Sequence, residues 1–276
     1  MISHSVPHMD QYRVFGNPIK QSRSPIIHQS FAQQTQQQLN YQSEYVALDQ
    51  FEKKIDAFMK SGAKGANITS PFKEQAMALC DHLTERAELA GAVNTLSFVN
   101  GKIFGDNTDG EGLVQDLLNH NVSLKNSRIL LLGAGGAAKG VVLPLLAQEP
   151  QVIVIANRTV SKAEALIKKF KNDKLFATGF DALGKAKFDL IINATSASLT
   201  GTIPPIPTEL VANTYCYDMV YGKELTPFLA WAKVNGATKV IDGLGMLVGQ
   251  AAESFRIWRN VLPEAAPVLN KLRKEG

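Results

Sequence analysis

The sequence predicts an α/β protein of two domains, and three observations lead to this fold class. The chain has 276 residues, 45% of them hydrophobic, which is enough for more than one buried core. Short β-rich runs alternate with longer amphipathic runs, as in mainly parallel sheets covered by helices. A glycine-rich turn also follows an apolar run in the middle of the chain.

The first series of predicted elements belongs to an N-terminal α/β domain. Its predicted strands are YRVFG, YQSEYVAL, KGANIT and the pair NTLSFVN and KIFGDN. Asn100-Gly101 joins that pair as a favoured two-residue hairpin turn. Its predicted helices follow Ser24-Pro25 and cover FEKKIDAFMKSG. Residues 1–8 are expected to be a loose extension before the first strand.

The second series begins after the predicted helix DGEGLVQDLLNHN. Its six predicted strands are RILLLG, QVIVIAN, KLFAT, FDLIINAT, TYCYDMV and TKVIDG. Their nearly continuous apolar runs suit a doubly wound parallel sheet covered on both faces, a Rossmann-like dinucleotide-binding domain. No strand follows Leu244, so the last helices are expected to pack back on the first domain. The predicted domains are 1–108 with 244–276 for the substrate and 109–243 for the cofactor.

Composition argues against several classes of protein. The net charge of +4 is spread along the chain, so a nucleic-acid surface is not expected, and a small anionic substrate fits equally well. Two distant cysteines cannot form a disulfide framework or a Cys-x-x-Cys metal cluster. The start of the chain lacks the pattern of a signal peptide, and no apolar run is long enough to span a bilayer. A cytoplasmic protein without membrane contact is expected.

The glycine turn GAGGAA directly follows the apolar strand RILLL and opens a helix. Gly133, Gly135 and Ala138 have the Gly-x-Gly-x-x-Ala spacing. The first glycine permits the tight turn, and the second lets the backbone approach a pyrophosphate at the helix N-terminus. This context predicts a dinucleotide site. The alternative is a turn that only packs a helix closely on a sheet.

The end of the next strand, QVIVIAN, indicates which dinucleotide binds. Domains that bind NAD normally place an acidic residue about 20 residues beyond the glycines, where it accepts hydrogen bonds from the ribose. This chain instead has Asn157, Arg158 and Thr159 there, followed by Lys162. The two cations would form charge-assisted hydrogen bonds with a 2′-phosphate, so NADP(H) is predicted. Alternatively, they are ordinary surface charges at the start of a helix.

A lysine in ANITSPFKE is the first candidate for catalysis. Lys73 lies just past a predicted strand end, in or near the first turn of a helix, beside the aromatic Phe72. Partial burial next to a cofactor would lower the pKa of such a lysine and let it exchange a proton near neutral pH. The alternative is a solvated lysine at the rim of the fold.

Three further polar clusters lie at segment ends. Ser22 and Ser24 lie close to Pro25 at a predicted helix start, where hydroxyl and backbone N–H groups suit a carboxylate. Asn94 lies in AGAVNTL, and Asp109 lies in GDNTDGEG at the predicted domain junction. The alternative is that Ser24 and Asp109 only cap helices.

Nine segments, taken in order, resemble the shikimate dehydrogenases, NADP-dependent enzymes of chorismate and aromatic amino-acid biosynthesis. They are GNPI…SRSP, NITSPFK, GAVNTL, GDNTDGEG, GAGGAA, NRT, INATS, DMVY and GLGMLVGQAAESF. The resemblance covers Tyr12 to about residue 262. It implies a cytoplasmic oxidoreductase that reversibly reduces 3-dehydroshikimate to shikimate with NADPH, as a monomer or homodimer.

The resemblance also implies a role for particular residues. Lys73 and Asp109 would be the catalytic pair. The implied substrate contacts are Ser22, Ser24, Thr69, Asn94, Tyr221 and Gln250. The implied cofactor contacts are Gly133, Gly135, Gly136, Ala137, Ala138, Asn157, Arg158, Thr159, Lys162, Asn193, Thr195, Ser196, Met219, Gly243 and Met246. No metal site is implied.

Two residues depart from the family pattern. Gln21 replaces a common histidine before the first serine, and Ser198 stands where a glycine is usual after the ATS segment. Both flank the implied contacts, so they are expected to alter loop geometry or affinity and to leave the activity in place.

Two alternatives to this function remain open. One is a quinate/shikimate dehydrogenase of dual specificity that accepts NAD, and the polar and basic residues at the second strand end argue against it. The other is a non-catalytic NADP-binding regulator. Such a protein should have lost the catalytic pair or the two serines, and this chain keeps them all.

Overall fold

The computed structural model describes residues 9–275, so the expected extension at residues 1–8 lies outside the described residues. Contacts divide the chain into two compact units. Unit 1 contains the described residues up to Thr108 together with Ala251–Leu272, and unit 2 contains Asp109–Gln250 and the residues from Arg273 onward. The domain boundaries given above stay a prediction.

Unit 1 contains a six-stranded mixed sheet in the order β2-β1-β3-β5-β6-β4. Its strands are β1 Asp10–Gly16, β2 Leu39–Tyr45, β3 Gly65–Ile68, β4 His82–Leu83, β5 Thr95–Val99 and β6 Lys102–Asp106. Its helices before the junction are α1 Ser24–Gln34, α2 Phe51–Lys60, α3 Lys73–Ala78 and α4 Glu85–Ala90. β2, β1 and β3 run parallel, whereas β5 is antiparallel to both β3 and β6.

The core of unit 1 forms because its helices are amphipathic. In α2, Phe51, Ile55 and Phe58 recur at helical spacing and are buried, while the intervening charged residues face solvent. They pack in one cluster with Phe15 of β1 and Leu96 of β5. Burial of each such side chain contributes about 1.5–3 kcal/mol relative to exposure.

The C-terminal helices α9 (Leu244–Arg259) and α10 (Ala265–Glu275) complete the fold. Trp258 packs on Tyr12 with ring centroids 4.6 Å apart, and its indole Nε1 donates to the carbonyl of Leu96 at 3.0 Å. Arg259 forms an ion pair with Asp10 at the start of β1. These contacts confirm the prediction that the last helices pack on the first domain.

Unit 2 contains a six-stranded parallel sheet in the order β12-β11-β10-β7-β8-β9. Its strands are β7 Arg128–Leu132, β8 Val152–Ala156, β9 Leu175–Thr178, β10 Leu190–Asn193, β11 Tyr215–Asp218 and β12 Lys239–Asp242. Its helices are α5 Asp109–Asn119, α6 Gly136–Leu146, α7 Val160–Phe170 and α8 Pro227–Val234, with short 3₁₀ turns at Phe180–Ala182, Ala197–Thr200 and Thr208–Leu210.

The order of these strands is that of a doubly wound dinucleotide-binding sheet, as predicted from the sequence. Ile129 and Leu131 of β7 lie in one buried cluster, and Leu130 and Leu132 lie in another. Because alternate residues of a strand point to opposite faces, the sheet is covered on both sides. This explains the continuous apolar run in β7.

Short elements were the ones not predicted. The sequence did not predict α4 and β4, which have six and two residues. Segments of this length are too short to show a hydrophobic period. Over residues 9–275, no helix is both long and apolar enough to cross a membrane.

Candidate active site

Two neighbouring loops of unit 1 carry three of the predicted substrate residues and the predicted catalytic lysine. Ser22 and Ser24 follow β1, and Thr69 and Lys73 follow β3, which is parallel to β1. The backbone N–H of Thr69 donates to the carbonyl of Phe15 at 3.0 Å. The carboxyl ends of parallel strands meet at one edge of a sheet, so both loops lie at that edge.

The serine loop is tightly turned. The N–H of Ser22 donates to the carbonyl of Ile19 at 3.0 Å, and the N–H of Ser24 donates to the Ser22 hydroxyl at 3.3 Å. Arg23 occupies the N-cap position of α1, and Ser24 is its first helical residue. The interpretation of Ser24 as a helix cap is therefore wrong. Its side chain instead forms a hydrogen bond with Tyr41.

Lys73 is the first residue of α3, as the sequence predicted. Phe72 before it is fully buried and stacks on Phe51, with ring centroids 4.7 Å apart and an interplanar angle of 4°. The carbonyl of Lys73 accepts a hydrogen bond from the N–H of Val93 at 2.9 Å. A buried aromatic and a backbone bond thus fix the Cα of Lys73, while its side chain is half-buried.

Asn94 connects the lysine loop with the junction between the units. Its backbone carbonyl accepts from the N–H of Ile68 at 2.8 Å. Its side-chain Oδ1 accepts from the N–H of Thr108 at 2.9 Å, and its Nδ2 donates to the Thr108 hydroxyl at 3.0 Å. Asp109 follows Thr108 directly and is the first residue of α5. The buried Asn94 therefore determines where the chain enters the helix that carries Asp109.

A buried polar network lies beneath these loops. The hydroxyl of Tyr41 donates to Oδ1 of Asn67 at 2.6 Å, and Nδ2 of Asn67 donates to the hydroxyls of Thr95 and Ser254 at 3.2 and 3.0 Å. Burial raises the pKa of Tyr41, and a hydrogen bond with Ser24 opposes that rise. Asn67 lies within NITSPFK, but the sequence reading assigned it no role.

An ion-pair cluster holds the strand that leads into the junction. Arg86 makes a two-point contact with Asp106, from Nε at 2.7 Å and from Nη2 at 2.8 Å, and its Nη2 also reaches Glu253 at 2.9 Å. Burial raises the pKa of Asp106, but the hydrogen bonds from Arg86 and Thr84 outweigh it and hold the pKa below its usual value. Asp106 is the last residue of β6, so the cluster anchors the residues that precede Asp109.

The glycine turn of unit 2 has the geometry that a dinucleotide needs. Gly133 has φ of +104°, a conformation favourable only for glycine, and a Cβ there would lie 3.1 Å from Cγ2 of Thr195. Cβ atoms at Gly135 and Gly136 would meet nothing within 4 Å. No side chain caps α6, so its first-turn N–H groups are available for a pyrophosphate. The other predicted residues of the turn are the exposed Ala137 and the buried Ala138.

The end of β8 presents the predicted basic group. Arg158, Thr159 and Lys162 are exposed, and Nδ2 of Asn157 donates to the carbonyl of Thr159 at 2.8 Å. Neither cation forms an ion pair with a residue in the described part of the chain. The first turn of α7 contains no acidic residue. The exposed Arg158 and Lys162 therefore suit an anion such as a phosphate, and no acidic residue in the first turn of α7 would repel it.

The ends of β10, β11 and β12 carry more of the predicted cofactor residues. The amide of Asn193 accepts from the N–H and hydroxyl of Thr195 at 3.1 and 2.7 Å, and Ser196 beyond it is exposed. The N–H of Met219 donates to the carbonyl of Asn193 at 3.0 Å. A Cβ at Gly243 would overlap the carbonyl of Met219, so only glycine fits there.

Helix α9 meets α5 within unit 2 at small residues. A Cβ at Gly112 would lie 2.5 Å from both the carbonyl of Met246 and the N–H of Gln250. A second close contact, between Gly245 and Asp116, fixes the same crossing. Burial raises the pKa of the Asp116 carboxyl, which accepts from the Tyr217 hydroxyl at 2.7 Å.

The structure thus brings the predicted residues together within each unit. Ser22, Ser24, Thr69, Lys73 and Asn94 lie at one edge of the first sheet, and most of the cofactor set follows the strand ends of the second. Tyr221 is exposed after β11, and Gln250 is half-buried. Across residues 9–275, no three His, Cys, Asp or Glu side chains are grouped so that they could hold a metal ion.

Comparison with known proteins relates these features to established families. Models described as shikimate dehydrogenase substrate binding domain, shikimate / quinate 5-dehydrogenase and shikimate 5′-dehydrogenase C-terminal domain match residues 14–96, 113–202 and 243–273. A relative from Colwellia psychrerythraea named shikimate dehydrogenase (NADP(+)) is 64% identical over 265 residues, which are 96% of each chain. A relative of the same name from Psychromonas ingrahamii is 58% identical over 268 residues, covering 96% of this chain and 98% of its own.

A solved structure gives the same result at lower identity. The shikimate 5-dehydrogenase of Thermus thermophilus, in complex with NADP(H) and shikimate, superposes with a TM-score of 0.86 and 32% identity. The superposition covers 96% of this chain and 99% of that one. The similarity therefore extends over both sheets and both sets of strand ends.

Proposed function

The chain belongs to the shikimate dehydrogenase family, and we propose that Lys73 and Asp109 catalyse its reaction. The protein is an NADP-dependent oxidoreductase that acts on shikimate. In the reaction proposed here, NADPH reduces the C3 carbonyl of 3-dehydroshikimate to the hydroxyl of shikimate, and the reverse reaction uses NADP+. The observation that carries the proposal is the convergence of two serines, a threonine and a lysine on one sheet edge.

Lys73 is the proposed proton donor to the carbonyl oxygen. Negative charge develops on that oxygen during reduction, and a positioned general acid contributes about 10²–10⁴-fold to the rate. The fixed Cα of Lys73 supports this role because it sets the point from which the side chain reaches the substrate. Asp109 is proposed to hydrogen-bond the same oxygen as the hydroxyl forms and to orient the lysine.

Ser22 and Ser24 are proposed to bind the substrate carboxylate. Their hydroxyls and the N–H groups at the start of α1 are donors, and an anion there is favoured by the helix dipole. Thr69 and Asn94 are proposed to contact the ring hydroxyls, together with Tyr221 and Gln250. With the carboxylate held at one end, the carbonyl carbon has a fixed position relative to Lys73.

The proposed cofactor contacts follow the strand ends of unit 2. When bound, NADP(H) supplies or accepts the hydride. The open glycine turn fits the pyrophosphate, and Arg158 and Lys162, with Asn157 and Thr159, fit the 2′-phosphate. The remaining residues proposed to line the cofactor are Asn193, Thr195, Ser196, Met219, Gly243 and Met246.

Several wider properties are also proposed. We place the domain boundaries at residues 1–108 with 244–276 and 109–243. We propose a cytoplasmic location, which the two free thiols of Cys80 and Cys216 support, and a monomeric or homodimeric state.

Absorbance at 340 nm tests the function directly. Purified protein with shikimate should reduce NADP+ rapidly and NAD+ poorly. Comparable rates with both would overturn the role of Arg158 and Lys162, and quinate as a second substrate would test for dual specificity. No reduction with either cofactor would contradict the oxidoreductase itself.

Two variants separate catalysis from binding. Lys73→Ala should lose most of kcat with a smaller effect on the KM for shikimate, whereas Ser22→Ala should mainly raise that KM. Near-normal turnover by Lys73→Ala would contradict the role proposed for the lysine. Lys64, an exposed lysine immediately before β3, provides the matched control, and Lys64→Ala should behave as the parent.

A further inference from the structure

A buried carboxylate lies where β10 and β11 end side by side. Asp218 is fully buried and is the register partner of Asn193. Its Oδ1 accepts from Nδ2 of Asn193 at 3.2 Å and from the N–H of Val220 at 3.1 Å. Its Oδ2 accepts from the hydroxyls of Ser198 and Thr226, each at 2.6 Å.

These four donors are neutral, and no cationic side chain within residues 9–275 pairs with Asp218. A buried carboxylate without a cation depends on its hydrogen bonds, which are short and strong when one partner is charged. If a single donor is lost, one lone pair of the Asp218 carboxylate has no hydrogen bond, and the neighbouring groups must move to supply one. The donors and the loops that carry them are held to the carboxylate.

Ser198 carries the far end of the loop that follows β10. The near end of this loop is held by the amide of Asn193, which accepts from Thr195. The Thr195 hydroxyl in turn accepts from the N–H of Ala197 at 3.2 Å. The exposed Ser196 lies between these two fixed points. Asp218 thus holds both ends of the loop, at one end through Asn193 and at the other through Ser198.

We propose that Ser198 is a positioning residue for NADP(H), which holds the loop of Thr195 and Ser196 in its cofactor-binding position through Asp218. The inference rests on the proposed function, in which this loop lines the cofactor. A glycine, usual at this position in the family that the sequence resembles, has no hydroxyl and cannot make this contact. The departure at Ser198 therefore adds an anchor that glycine would not supply.

Thr226 provides a matched control on the same carboxylate oxygen. Thr226 lies outside the loop of Thr195 and Ser196, at the N-cap of α8, where its hydroxyl also accepts from the N–H of Leu229 at 3.3 Å. Ser198→Ala and Thr226→Val each remove one hydroxyl donor to Oδ2 with little change in shape. A purely structural role predicts that both variants lose thermal stability and that neither changes cofactor binding.

The experiment compares NADP+ affinity by titration calorimetry, the KM values for NADP+ and shikimate, and the melting temperature. We expect Ser198→Ala to weaken NADP+ binding about fivefold, the equivalent of one hydrogen bond, with the KM for shikimate within about twofold of the parent. Thr226→Val should lower the melting temperature and leave NADP+ affinity unchanged. Ser198→Thr, which keeps the hydroxyl, should retain the parental affinity.

Three results would overturn the inference. These are parental NADP+ affinity in Ser198→Ala, an equal loss of affinity in Thr226→Val, and a loss in Ser198→Thr equal to that in Ser198→Ala. A parent that neither binds NADP+ nor oxidises shikimate would instead contradict the proposed function, and the inference would fall with it. The parental measurement therefore distinguishes the two failures.

Discussion

Replacement of His28 in α1 should remove part of the acid sensitivity of unit 1. His28 is fully buried and stacks on Tyr41, with ring centroids 4.1 Å apart and an interplanar angle of 8°. Neither ring nitrogen meets hydrogen-bond geometry with a described residue. Burial lowers the pKa of His28 to about 3, and the nearby Asn67 side chain opposes this lowering without reversing it. Phenylalanine would keep the aromatic packing and lose the titration.

The sign and size of the effect follow from proton binding. In the unfolded chain the histidine has a pKa of about 6.5, so below that pH the unfolded state binds a proton that the folded state excludes. The stability contributed by neutral His28 is complete above pH 6.5 and is lost as pH falls towards 3. Between pH 7.5 and 5.5 the loss is about 1.4 kcal/mol, for any folded-state pKa well below 5.5.

Urea unfolding at pH 7.5 and pH 5.5 measures this difference. The chain has two tryptophans, so in a Trp231→Phe background the fluorescence reports on Trp258, which lies 5.4 Å from His28 between ring centroids. The parent should lose about 1.4 kcal/mol more than His28→Phe over this range.

His82 is the matched control because it stacks on Phe104 at 4.7 Å but is exposed. His82→Phe should keep the parental dependence on pH. If His28→Phe and the parent lose the same stability, His28 titrates normally in the folded protein, and the argument from its burial is refuted.

Two further predictions concern the cofactor unit. Gly133→Ala should lower the melting temperature of the protein without cofactor, because φ is +104° and the new Cβ would lie 3.1 Å from Thr195. Gly136→Ala is the control and should leave the melting temperature unchanged, because its new Cβ would meet nothing within 4 Å. Equal melting temperatures of the two variants would contradict the turn geometry. Arg158→Ala should weaken NADP+ binding about tenfold or more, the loss of one charge-assisted contact, and leave NAD+ binding unchanged. Lys168 is an exposed lysine on α7, the helix that follows Arg158, and Lys168→Ala is the control. An equal effect of both variants would indicate only a general effect of charge.

The parts of the fold that could be predicted depend on local pattern. The six strands of unit 2 were identified because a strand buried on both faces is a continuous apolar run. Gly133 could be identified because a tight turn between a strand and a helix restricts its residue type. The Asn100-Gly101 hairpin was found for the same reason, and both residues have positive φ.

The supporting polar groups could not be predicted from local pattern. Asn67 donates to Ser254, and Arg86 pairs with Glu253, over separations of 187 and 167 residues. Each residue taken alone resembles an ordinary polar residue at a strand end or on a helix. Their partnership exists only because α9 returns to the first sheet, and no periodicity in the sequence encodes that register.

Ser198 shows how such support changes the meaning of a sequence difference. From the sequence it was a departure beside a binding loop, with an effect expected only on geometry or affinity. Its hydroxyl lies 2.6 Å from a buried carboxylate that also accepts from Asn193 and Thr226, so the substitution adds a contact to an existing network. A neutral donor is stabilising there because the acceptor is charged and has no cation among the described residues. The same serine on an exposed loop would contribute nothing, so the effect of the residue is decided by Asp218, twenty residues away along the chain.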